Sequence, residues 1–216
     1  MPLTPESGAE PVGAEAADAE LADDAGWDTV ALQRLQAALE RIAGPERPLV
    51  APWGVSVGDL VARAWDVPRP AKALLRQLNR FGAVRLSPDG VGMDDDDVAW
   101  DRLVEVHLAS LIKVLQEDAV ERELVRLGRF LPPVPGRTWL LRRVSRVVSA
   151  LVTRFTPRTE RESPLVPFEL VRRGRAGRLS TVGGGVVSAL LWAAVPEASA
   201  VLVAECEERG VLVTRP

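Results

Sequence analysis

The chain of 216 residues has one cysteine (Cys206), one histidine (His107) and no tyrosine. A single thiol excludes an intramolecular disulfide and a zinc centre built from several thiolates, and it fits a reducing compartment. A nucleophilic serine or cysteine would have only His107 as its base, and no serine is marked as its partner. His107 reads instead as a strand residue at a surface or a satisfied core edge. Lysine is nearly absent as well, since Lys72 and Lys113 leave 25 of the 27 basic side chains to arginine. With so much Ala, Gly, Pro and Val, that bias reads as GC-rich coding and a bacterial source rather than as nucleic-acid affinity. No apolar run is long enough to span a bilayer; residues 186–195 stop at Pro196-Glu197. The opening MPLTPESGAEP has neither a basic start nor an apolar stretch, so no secretory leader is expected and a cytoplasmic location is. These absences point away from an enzyme, and no cofactor is expected.

Two further motifs fail on inspection. The glycines of residues 174–185 lack the lysine that a phosphate loop requires. Asp94 to Asp97 are consecutive, so they do not converge on one cation, and EF-hand spacing is missing. A solvated bend is the expected role of that acidic run.

What is present begins with charge segregation. Residues 1–26 hold seven acids and no base, the composition of a disordered tail. The remaining residues carry 23 acids against 27 bases, a net of +4 in a chain of net −3. From Arg122 to Ser180, 14 arginines face four glutamates. With 47% of residues hydrophobic, there is ample material for one buried core over residues 27–216.

The clearest local signal spans Phe81 to Leu108. Val84 and Leu86 alternate with polar neighbours, Ser87-Pro88-Asp89-Gly90 interrupts, and Val91 and Met93 resume the alternation. That pattern predicts a β-hairpin about an Asp-Gly turn, with glycine supplying a positive φ. After the aspartates, Val98, Trp100, Leu103, Val104 and Val106 return to the core. Around this hairpin the pattern predicts an α+β fold, a small antiparallel sheet covered by helices. The helices fall over residues 29–43, 58–65, 70–80, 109–127, 137–155, 186–194 and 196–209, the first marked by apolar spacing of three and four and several bounded by Pro or Gly. Residues 46–56 read as a loop or edge strand, residues 156–168 as an exposed loop, and Val211 to Val213 as a last strand.

Val84, Leu86, Asp89, Gly90, Val91, Val98, Trp100, Leu103 and Val106 give this segment its likeness: it resembles the strands of bacterial pleckstrin-homology-like domains. The resemblance implies an interaction module, binding protein or lipid without catalysis. A rival likeness covers residues 59–90, which are similar to a winged helix-turn-helix with the hairpin as the wing. That family implies DNA contacts from Arg69, Lys72, Arg76 and Arg80.

Arg137 to Phe155 is the second feature. Leu140, Val144, Val147, Val148, Leu151 and Phe155 share one helical face, while Arg142 and Arg146 lie on another, with Trp139 at the start. The pattern suits either a packed helix with a solvated arginine face or an interfacial helix on an anionic membrane. Trp139, Arg142, Arg143 and Arg146 are therefore the candidate contacts for a protein partner or a membrane surface.

Overall fold

Two four-stranded sheets carry the chain. The structure, a computed structural model, describes residues 29–30, 33–67, 69–78, 82–115, 123, 125, 137–157, 159–174 and 176–216, without the side chains of Pro70, Ala73, Arg76 and Glu160. The acidic stretch 1–26 and most of the helix expected up to Leu127 lie outside these residues.

The first sheet is an antiparallel meander in the order β1 (Trp53–Ser56), β2 (Ala83–Ser87), β3 (Gly90–Met93) and β4 (Asp96–Ala99). Its first connection holds α2 (Val57–Ala64) and α3 (Arg69–Leu78). Ser56 caps α2, its Oγ accepting from the Asp59 amide at 3.1 Å, which satisfies one of the free amides at that helix end. An earlier helix, α1 (residues 33–40), lays Leu35 and Leu39 on the same core.

The hairpin is present, but its turn differs from the expected one. Ser87 pairs with Gly90, so Pro88 and Asp89 form the reversal, and Gly90 does not adopt a positive φ. Proline pre-sets the first turn position, while the Ser87 hydroxyl accepts from the amides of Asp89 and Gly90. Glycine is required at position 90 for a different reason: a Cβ there would lie 2.3 Å from the Val98 carbonyl oxygen on β4.

The acidic run is not a solvated bend. Asp94 and Asp95 make the β3–β4 turn, and Asp96 and Asp97 belong to β4. Asp97 pairs with Arg85 at 2.9 Å and Asp96 with Arg172 at 3.1 Å, so opposite charges hold strands that four bare aspartates would push apart. Asp94 turns inward, toward the amides of Gly82 and Gly185.

The second sheet is ordered β7 (Leu179–Gly183), β6 (Leu165–Arg173), β5 (Leu103–Ser110) and β8 (Leu212–Thr214), with β8 parallel to β5 and the other pairs antiparallel. The fold is thus α+β as expected, but with two sheets, the second mixed, in place of one small antiparallel sheet. The first four residues of strand β6, 165–168, fall where an exposed loop was expected. Pro167 obscured it; in the structure that residue pairs with Leu108 beside a register shift, where a missing amide is tolerated. After β5 comes a short α4 (Leu111–Val114) and then, beyond a gap, α5 (Arg137–Phe155). The chain closes with α6 (Val186–Ala194), α7 (Pro196–Arg209) and β8.

Helix α6 is the hub. Residues 186–193 are buried, and the helix packs against α5, α7, β2 and β6. Each large apolar side chain buried there contributes roughly 1.5–3 kcal/mol, which no exposed element matches. Pro196 starts α7 at a sharp bend of 96°, and Gly210 ends it in the left-handed conformation (φ 69). No single helix among the described residues is long and apolar enough to cross a membrane.

Cys206 on α7 is buried, and burial pushes its thiol up to about 12 against the opposing pull of Arg209. The folded chain therefore keeps a proton that the unfolded chain gives up near its ordinary value of about 8.5. Stability is then full below that value and falls as pH rises above it, by up to about 1.4 kcal/mol per pH unit. In a disulfide-exchange assay at about pH 8, the native thiol should stay silent and react promptly in concentrated guanidinium. Rapid native labelling would show that α7 opens readily.

Candidate functional site

The arginine-rich helix α5 forms over the residues its periodicity marks. Leu140, Val144, Val147, Val148 and Leu151 are buried against α2, α3 and α6, so its apolar face is spent on the core. The helix's other faces are arranged in three ways. Arg142 is exposed. The Arg143 guanidinium lies 5.5 Å from the Trp65 ring centre and 5.8 Å from that of Trp139, a cation held between two indoles. Such contacts contribute about 0.5–2 kcal/mol each, so Trp139 and Arg143 serve the joint between α5 and the end of α2. Arg146 points elsewhere, into a groove.

That groove, of about 620 Å³, separates α5 from α1. Leu35, Leu39 and Ala150 are its apolar lining, and Gln36, Ser149, Thr153, Arg146 and Arg154 line the rest. Arg154 approaches Glu40 at 3.8 Å, a loose, exposed pair that contributes little. Of the four residues singled out on α5, Arg146 lines this groove, and Trp139, Arg142 and Arg143 are not among its described lining residues. Sequence reading missed Leu35, Leu39 and Arg154. Their apolar and basic spacing was visible, but not that α1 lies beside α5.

On α3, Arg69 and Lys72 are exposed, whereas the side chain of Arg76 and all of Arg80 lie outside the described residues. The neighbouring hairpin is interior to its sheet: β3 pairs with β2 on one side and β4 on the other. Its turn is pinned by Trp100, whose Nε1 donates to the Ser87 carbonyl at 3.0 Å.

His107 stands half-exposed on β5, 3.1 Å from Glu105 and 3.6 Å from Glu169 across the β5–β6 pair. The Thr214 hydroxyl donating to Glu105, with His107 beside it, holds that carboxyl below the usual range despite its burial cost. Among the described residues no group of three His, Cys, Asp or Glu side chains is placed to hold a metal ion. Comparison with protein-family models, with curated proteins and with solved structures returns no match to this chain.

Proposed function

We propose that the protein is a non-catalytic interaction module of the bacterial pleckstrin-homology-like kind, which holds an acidic, partly apolar segment of a protein partner in the α1–α5 groove. The groove itself carries the reading: an apolar lining beside two arginines fits a helix or strand presenting both apolar and carboxylate side chains. A partner is favoured over a membrane because the apolar face of α5 is buried, which removes the driving force for interfacial insertion.

A photoreactive residue at position 150, used in extract from the source organism, tests this. An adduct of defined mass is expected, reduced at least tenfold by adding Arg146→Glu and Arg154→Glu and unchanged by Arg69→Glu with Lys72→Glu. An adduct insensitive to the groove reversals would sink the proposal. So would salt-sensitive binding of a labelled random duplex that only the Arg69 and Lys72 reversals abolish, which would install the DNA reading instead.

A further inference from the structure

A second concave surface, which shares no lining residue with the α1–α5 groove, lies where β4 meets the β6–β7 hairpin. We propose that this cleft binds a phosphate-type oxyanion, the terminal phosphate of a small molecule or of a lipid headgroup.

The cleft has a volume of about 380 Å³, and Arg102, Arg172 and Arg173 line it with Ser180, Gly174 and Asp97. Its cations are not equivalent. Arg172 is fixed, with Nη1 3.1 Å from Asp96 and Nε donating to the Ser180 hydroxyl at 3.4 Å. Arg102 and Arg173 have no carboxylate within ion-pair distance among the described residues. They are nevertheless placed by backbone, because the Arg173 amide donates to the Arg102 carbonyl at 2.8 Å. That bond ties the β4–β5 turn to the end of β6, so the two free guanidiniums start from one rigid point. Asp97, the only acid among the described lining residues, is engaged by Arg85, whose Nε and Nη2 both lie 2.9 Å from Oδ1. Two positive charges therefore remain unopposed in a pocket with a hydroxyl.

Guanidinium forks match the geometry of phosphate oxygens, and a partly enclosed site strengthens the attraction over that of a flat surface. The volume suits a small phosphorylated group and is too small for a duplex. The cleft does not involve the α1–α5 groove, so it stands or falls apart from the partner proposal.

The test is calorimetric titration of the full chain with inorganic phosphate and pyrophosphate against potassium chloride of equal ionic strength. Saturable binding is expected, with pyrophosphate about tenfold tighter because it presents more charge to the same two arginines. Arg102→Glu with Arg173→Glu should weaken it at least tenfold. Both side chains are exposed, so the variant should keep its unfolding midpoint, and Arg161→Glu, remote from the cleft in sequence, should bind as wild type. Flotation on vesicles of phosphatidylcholine with phosphatidic acid distinguishes the sources. Recovery lost in the double variant identifies a lipid phosphate, and anion binding without recovery identifies a soluble one. Heat indistinguishable from chloride, or binding that survives both reversals, would overturn the assignment.

Discussion

Asp94→Ala should destabilise the fold by about 4 kcal/mol, a large share of the roughly 5–15 kcal/mol that holds a domain together. The carboxylate accepts from the Gly82 amide at 2.9 Å and the Gly185 amide at 3.1 Å, and the Ser188 hydroxyl donates to it as well. It therefore joins three elements: the stretch after α3, the β3–β4 turn, and the start of α6. Gly185 is the N-cap of α6, and its own side chain offers that helix nothing, so Asp94 supplies the anionic acceptor from another part of the chain. Asp94 also sits in the left-handed region at φ 55, and Gly82 opposite it at φ 63. Aspartate tolerates that conformation, whereas alanine is strained there by about 1 kcal/mol.

The two contributions can be separated. Asp94→Asn keeps the backbone tolerance and part of the acceptor capacity, so it should cost about 1–2 kcal/mol. Asp94→Gly relieves the backbone but loses every side-chain bond, and should fall between the other two. Urea unfolding of the series should give the order Asn, Gly, Ala, and Ser188→Ala should cost less in the Asp94→Asn background than alone. An alanine variant within about 1 kcal/mol of wild type would show that Asp94 does not anchor α6.

The second large effect is expected at Trp192, a fully buried side chain in the last turn of α6. Trp192→Ala should cost about 3–5 kcal/mol, combining lost transfer energy with the cavity left in the core. The indole N–H has no acceptor among the described residues. Removing that donor offsets part of any loss of volume, so Trp192→Phe should cost only about 1–2 kcal/mol. Denaturant midpoints for the pair provide the check. If Phe proves as damaging as Ala, the indole nitrogen has a partner and the hub is more polar than its packing indicates.

How far the residues themselves revealed this architecture depended on the range of the interactions. The span Arg137–Phe155 and the helix pair Val186–Ala194 and Pro196–Arg209 follow from apolar spacing and from Pro196 and Gly210, all of which act within a turn or two of helix. The hairpin followed from period-two alternation around Pro88-Asp89, although glycine at position 90 answers to β4 rather than to the turn. Strand β6 was illegible because Pro167 breaks the local pattern and only the register shift opposite it, supplied by β5, makes it acceptable. The four aspartates looked alike in sequence. They diverge because Arg85, Arg172 and the Gly185 amide reach them from other strands and from the start of α6.

The two candidate surfaces divide along the same line. Amphipathic arginine helices, a single imidazole, one thiol and a basic body behind an acidic tail are properties of composition and short-range order, and the sequence by itself determined them. Which arginine is stacked between indoles, which borders an apolar groove and which stands unpaired in a cleft was decided only by tertiary structure. Arg143 meets Trp65, Arg146 faces Leu35, and Arg102 meets Arg173, each from more than 70 positions away. Guanidiniums identical in sequence thus differ in role because burial, aromatic contact and the nearest carboxylate are set by chain segments that only folding brings together.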